Sequence, residues 1–458
     1  MKGIRSLLAW IQRFSLLRNS IYIIGTGTAT SVLGYFFWIL AAHLYTASAV
    51  GLGSALISAM TLAALLANMG MGPTLVQLLP GRKNGTAWSL TVNAGLITGI
   101  VAGLLVGIIA VMALPLFSSQ FSIIILHPGY ALAFILSIPL MSVSTLLDQT
   151  FVAERATQHM LIRNALVALL KIPLVALPVL LLAPAGGSGI FLAAVLAMAI
   201  ALIPAFAVQV PRLGRDYRLA LRGIAGQIRS MLSALTGNYF INLGGQAAGY
   251  LLPVFVLVRL SAADNAYYYT ATRVGDFLLV GSAAVATSLF AEGSHAAGDL
   301  AHKVRSSAKI IAFILAPGML LCFLGGYYIL LVFGQSYAAH GAIVLRIEAI
   351  SAVPDAITSV YVSVLRVHQR LRAAALLNLG MAGVMLVLAW LLLPLLGIAA
   401  VPVAVLIGEG SGSVAAAIDA LLARHRRHIV PAMAPGSVTE HQATEDTDDI
   451  MRKIAQGD

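Results

Sequence analysis

Between residues 238 and 276 the sequence places Asn238, Asn242 and Gln246 at four-residue spacing, then Arg273 and Asp276, all inside strongly apolar sequence. Such spacing puts the amides on one helix face, and likewise the guanidinium with the carboxylate three residues on. Lys171, Arg346, Glu348, Asp355 and Glu409 interrupt other apolar runs. Groups of this kind are costly in hydrocarbon, and they mark substrate paths, ion paths or proton relays. Their chemistry is binding and exchange. The ten histidines show no HExxH or other metal-ligand spacing, and no Walker A motif occurs. The single cysteine, Cys322, excludes an intrachain disulfide framework and a Cys-rich metal site. No metal and no cofactor is expected.

The elements that hold these residues are membrane-spanning helices. The chain is 60% hydrophobic and 10% charged over 458 residues, more apolar than a soluble domain of that size requires. Its net charge of +11 reads as basic cytoplasmic loops beside anionic lipid, not as a nucleic-acid surface. Apolar runs fall at 19–44, 48–79, 88–114, 122–147, 160–183, 188–210, 231–258, 266–292, 306–331, 341–365, 372–395 and 397–422. With the N-terminus inside, alternate loops carry 24 of the 28 Lys and Arg, leaving Lys171, Arg259, Arg273 and Arg346. That alternation predicts twelve helices with both ends cytoplasmic. Residues 1–18 read as a cytoplasmic amphipathic leader, because no small-residue cleavage site follows a short apolar core. Residues 211–230 form a basic cytoplasmic linker dividing six helices (19–210) from six (231–422). The polar, acidic tail, 423–458, reads as disordered.

A weak internal repeat supports the division. A shift of 215 lays Ser48–Pro80 over Ala263–His295, and a shift of 214 lays Phe151–Asn164 over Leu365–Asn378. Arg273 and Asp276 then fall over Ser58 and Thr61. The long 48–79 run contains Gly70, Gly72 and Pro73 and is expected to kink there. Prolines in the spans read as tolerated kinks or as hinges. The polar stripes, Asn238/Asn242/Gln246 and Ser54/Ser58/Thr61/Asn68, suit either helix packing or a cavity wall. Asp148, Glu154, Arg155 and Arg163 read as solvated junction charges, with a gate as the alternative.

The stretch from NSIYIIGTGTATSVLGYFFWILAAHLYTASAVGLGSALISAM through TLAALLANMGMGPTLVQLLP resembles the opening of polysaccharide transporters. These are the Wzx-type flippases of the multidrug/oligosaccharidyl-lipid/polysaccharide superfamily. LLDQTFVAERATQHMLIRNALVALLKIPLV is similar to their fourth-to-fifth helix junction, and FGQSYAAHGAIVLRIEAISAVPDAITSVYVSVLRVHQRLRAAALLNL to their tenth-to-eleventh. The resemblance covers most of residues 15–422. It implies an all-α membrane protein of two six-helix bundles in a V around a central cavity. It also implies a cargo: undecaprenyl-diphosphate-linked oligosaccharide carried across the bacterial inner membrane for surface polysaccharide synthesis. Membrane lipids, a polymerase and glycosyltransferases of the same pathway would be its partners.

Such a cargo needs cations for the diphosphate and hydrogen-bonding groups for the sugars. Arg273, Lys171 and Arg346 are the candidate cations, and Asn238, Asn242, Gln246, Ser58 and Thr61 the candidate polar wall. Asp276, Asp355, Glu348 and Glu409 are candidates for proton or ion coupling. Alternatives stay open at each: a self-neutralising Arg273–Asp276 pair, Arg346 reaching the outer interface, and structural partners for Lys171 and Glu409. Movement by alternating access makes and breaks no bond, so no enzyme is expected. A drug/cation antiporter of the same superfamily, a lipid II flippase and a membrane polysaccharide polymerase or ligase are the competing functions. The last would need a long external loop, and none exceeds about a dozen residues.

Overall fold

The computed structural model describes residues 15–82, 85–180, 186–213, 217–232, 236–277 and 300–429; among these no strand occurs. The main helices are α1 (Ser15–Leu44), α2 (Ala47–Asn68), α3 (Gly85–Phe117), α4 (Pro128–Ala153), α5 (Thr157–Leu180) and α6 (Gly187–Pro204). They continue as α7 (Thr236–Arg259), α8 (262–277), α9 (Leu300–Leu331), α10 (Gln335–Val367), α11 (Leu371–Leu396) and α12 (Ala400–Ile429). Nine described stretches are long and apolar enough to cross a membrane, so the protein is a multi-pass membrane protein. One of them, Leu371–Asp419, is broken by a 3-10 turn, Gly397–Ala399, into α11 and α12. The charge-bearing α10 and the short described part of α8 stand outside the nine. The chain divides into two compact units, Met1–Ser413 and Val414–Asp458.

Local chemistry sets several ends. Thr46 caps α2 by accepting from the Ala49 N–H. The expected 48–79 run stops at Met69 and Gly70, both in the left-handed region (φ 45° and 80°), and restarts as a short helix, Met71–Leu78. The glycine adopts that conformation without a Cβ penalty. α12 runs through Arg424, Arg426 and Arg427 to Ile429, beyond the expected end at 422. The rest of the tail, the leader up to residue 14 and residues 278–292 of the eighth expected run lie outside the described residues.

The packing repeats with the sequence. α1 packs on α5 and α3 on α4; six helices later α7 packs on α11 and α9 on α10. Between the two sets, α2 lies against α7. α2 also meets the start of α8 so closely that a Cβ on Gly51 would stand 1.6 Å from the Ala262 carbonyl oxygen. The buried Asn265 side chain fastens this crossing, donating to Gly51 O at 2.7 Å and Ser54 Oγ at 3.1 Å. Small residues permit the approach, as in other membrane helix pairs.

One expectation about charge changes. Asp148 and Arg163 are not solvated: they form a buried ion pair at 2.7 Å, with Arg163 1% exposed. Arg163 also donates to Ser144 Oγ and Asn164 Oδ1, and Asn164 donates to Asp148, so the pair sits in a hydrogen-bonded network. The basic linker is bound down on α3. The Tyr217 hydroxyl donates to Asn93 Oδ1 at 2.7 Å, Asn93 Nδ2 to Arg218 O at 3.0 Å, and Arg218 N to Ser89 Oγ at 3.2 Å. The linker also contains a helix, Ile224–Leu232.

Candidate functional site

Three cavities hold most of the polar intramembrane residues. The first, of 390 Å³, lies between α1, α5 and α8. It is lined by Thr30, Ser31, Gly34, Tyr35, Phe37 and Trp38, by Ile57 of α2, by Asn164, Val167, Ala168 and Lys171, and by Tyr269, Arg273 and Asp276. The second, of 420 Å³, lies between α7, α8, α10, α11 and α12. Adding 214 to the α1 and α5 positions other than Phe37 gives Gly244, Gly245, Ala248, Gly249, Leu252, Asn378, Met381, Ala382 and Met385, all of which line the second cavity; Phe37 answers to Leu251, which does not. The repeat is therefore a repeat of cavities, in one register. Repeated positions differ in chemistry: Lys171 corresponds to Met385, while Asn164 corresponds to Asn378.

Arg273 and Asp276 face both cavities. They form an ion pair at 3.0 Å with about two-fifths of each side chain open (39% and 40%). Arg273 also lies over the Tyr269 ring, 4.7 Å from its centroid. This cation–π contact and the ion pair leave Nε buried without a partner. A guanidinium has five N–H donors, so Asp276 does not saturate it. Lys171 is less satisfied still. Among the described residues no carboxylate pairs with Lys171.

The second cavity gathers carboxylates. Glu348, Asp355 and Glu409 all line it. Glu348 packs against α8 at Gly275, where a Cβ would stand 2.7 Å from its Oε2; that oxygen is buried without a partner. Thr358 donates to Glu409 Oε2. These are the acids that the sequence marked for coupling, and the fold brings all of them together with Asp276.

The third cavity, of 660 Å³, is lined by the end of α2, the helix Met71–Leu78, α4, α7 and the α10–α11 junction. Asn242 and Gln246 line it, while the Asn238 side chain lies outside the described residues. Arg366 lines both the second and third cavities, with a buried Nε that has no partner. Shared walls thus link the three spaces: Arg366 joins third to second, and Arg273 with Asp276 joins second to first.

Not every marked residue reaches these spaces. Ser58 is buried within the packing of α2, and Thr61 donates back to Ile57 O; neither lines a cavity described above. Arg346 is on an exposed face, its Nε donating to Phe323 O at 3.2 Å. Conversely, Arg366, Tyr269 and Asn164 were not singled out by the sequence as site residues. Arg366 had a signal: it continues the spacing Asp355, Ser359, Val362, all four lining one cavity.

This is the architecture of a multi-pass protein with polar cavities buried among repeated helices. In particular, the chain has a MATE-like fold. It aligns over 90% of its length with 99% of an inward-facing multidrug resistance MATE family transporter of the MOP superfamily, at TM-score 0.66 and 16% identity. It covers 95% of a MATE transporter in complex with MaL6, again over 90% of its own length, at TM-score 0.62 and 18% identity. It likewise covers 95% of a MOP superfamily transporter from Pyrococcus furiosus, whose reverse polarity of binding pocket suggests a different function for that protein; the alignment takes 90% of this chain, at TM-score 0.60 and 16% identity. No family model and no curated protein matches the sequence.

Proposed function

We propose that the protein is a flippase that moves undecaprenyl-diphosphate-linked oligosaccharide across the bacterial inner membrane by alternating access. The observation that carries this reading is the pairing of Lys171, without an ionic partner, with the unsaturated Arg273 in one cavity. A cation held in low dielectric without a counter-ion calls for an anionic ligand. Two such groups in one space suit a diphosphate. Arg366 adds a third cation on the route from the third cavity. In this reading the twelve helices all cross the membrane, residues 19–210 and 231–422 act as the two bundles, and both termini are cytoplasmic. Glu348, Asp355 and Glu409, with Asp276, supply proton or ion coupling. Membrane lipids surround it, and glycosyltransferases and a polymerase supply and consume the cargo. No step is catalytic.

A drug/cation antiporter is the second reading, favoured by the carboxylates of the second cavity and by the fold of the MATE transporters. Proteoliposomes separate the two. The flippase reading expects transfer of a fluorescent undecaprenyl-diphosphate saccharide between leaflets, with transfer lost in Arg273→Ala although membrane insertion is intact. Export of a cationic dye with no transfer of the lipid would replace it with the antiporter. Normal lipid transfer by Arg273→Ala would remove Arg273 from the site.

A further inference from the structure

Six side-chain amides converge on the third cavity from five elements: Asn68 from the end of α2, its Oδ1 buried without a partner, Gln77 from the short helix that follows, Gln149 from α4, Asn242 and Gln246 from α7, and Gln369 from the α10–α11 junction. Among the described residues, Gln77, Gln149, Asn242 and Gln369 spend no side-chain hydrogen bond on the protein; Gln246 accepts one at 3.5 Å from the Tyr250 hydroxyl. The fold makes room for one of them: a Cβ on Gly72 would stand 2.8 Å from Gln149 Cγ. Among the described residues no carboxylate lines this cavity, and the one cation, Arg366, sits where it meets the second.

An amide offers two donors and an acceptor, which matches a hydroxyl that both donates and accepts. Tyr239 adds an aromatic ring with a polar tip to the same lining. At 660 Å³ the space lies within the range of small-molecule sites, roughly 300–1,000 Å³. Carboxylates would suit a cation and clustered basic groups an acidic sugar; this lining provides neither.

Resting on the flippase reading, we propose that the third cavity is a saccharide site selective for an uncharged sugar headgroup, with the diphosphate lying past Arg366 toward Arg273 and Lys171. The amides grip the sugar from both sequence halves at once, so the site exists only while α4 and α7 face one another across it.

The test uses the purified full chain in detergent and three lipids: undecaprenyl diphosphate, the same lipid bearing N-acetylglucosamine, and the same lipid bearing glucuronic acid. Native mass spectrometry gives the three affinities. The N-acetylglucosamine lipid should bind about tenfold more tightly than the bare lipid, the size of two neutral hydrogen bonds. The glucuronic acid lipid should show no such gain. In Gln77→Leu/Gln149→Leu the sugar-dependent gain should disappear. Equal affinity for bare and N-acetylglucosamine lipids overturns the proposal, as does a gain for glucuronic acid or a gain that survives the double substitution. If that variant fails to fold, judged by its melting, Gln77→Ala alone replaces it and should cut the gain about threefold, the share of one such bond. Failure of the parent to bind even the bare lipid overturns the flippase reading itself.

Discussion

Two cations on α5, eight residues apart, should answer opposite questions when replaced by methionine. Arg163 is 1% exposed, paired with Asp148 at 2.7 Å and hydrogen-bonded to Ser144 and Asn164. Its removal strands Asp148 in the interior, a loss of about 3–5 kcal/mol for a broken buried pair. Lys171 has no carboxylate partner among the described residues and lines the first cavity. Lys171→Met therefore strands nothing and relieves the desolvation of an unpaired charge, so stability should hold or rise. The loss appears only on binding. A hydrogen bond to a charged group contributes about 1.5–3 kcal/mol, or roughly a ten- to hundredfold weaker hold on undecaprenyl diphosphate. Melting of the purified variants in detergent reads the first effect and lipid titration by native mass spectrometry the second. If Lys171→Met melts as early as Arg163→Met, the lysine has a structural partner and the anion site is misplaced. Unchanged affinity for the diphosphate lipid would refute the reasoning just as firmly.

Two further outcomes follow from particular contacts. Gly51→Ala puts a Cβ where Ala262 carbonyl now stands, 1.6 Å away, and backbone cannot swing aside as a side chain can. The α2–α8 crossing should lose about 1–3 kcal/mol or more, seen as an earlier melting transition; an unchanged transition would mean that the two helices are not held at that distance. Glu409→Gln keeps an acceptor for the Thr358 hydroxyl but removes the exchangeable charge. Transport in proteoliposomes should then stop responding to imposed proton and sodium gradients, and a response equal to the parent's would remove Glu409 from the coupling group.

Much of the fold was legible because the bilayer imposes long apolar runs. Gly70 and Pro73 likewise announced the break after α2. Other features were not readable from local pattern. Arg163 looked like a loop charge because its partner Asp148 is fifteen residues back on another helix, and nothing local says that the two face inward together. Ser58 and Thr61 looked like a cavity stripe, yet hydroxyls on a helix can bond their own turn, and Thr61 does so. Arg346 and Glu348 are two residues apart and point to different sides, so only one reaches a cavity. The amides of the third cavity come from five elements of low individual signal, and only their convergence distinguishes them from ordinary polar surface.

The repeat explains why the site is asymmetric without being arbitrary. Both halves build a cavity from the same helix positions, so a substitution in one copy changes chemistry while the frame stays. Lys171 in the first copy answers to Met385 in the second, and Ser58 and Thr61 answer to Arg273 and Asp276. Lys171 and the carboxylates Glu348, Asp355 and Glu409 are thereby segregated into adjoining spaces, and the Arg273–Asp276 pair is the wall they share. On the proposed function this geometry links binding to coupling. An anion drawn to Arg273 from the first cavity competes with Asp276 for the guanidinium, and Asp276 so released favours a proton or cation from the second. Linkage is reciprocal, so a proton or cation taken up by Asp276 must tighten the hold on the anion by the same factor.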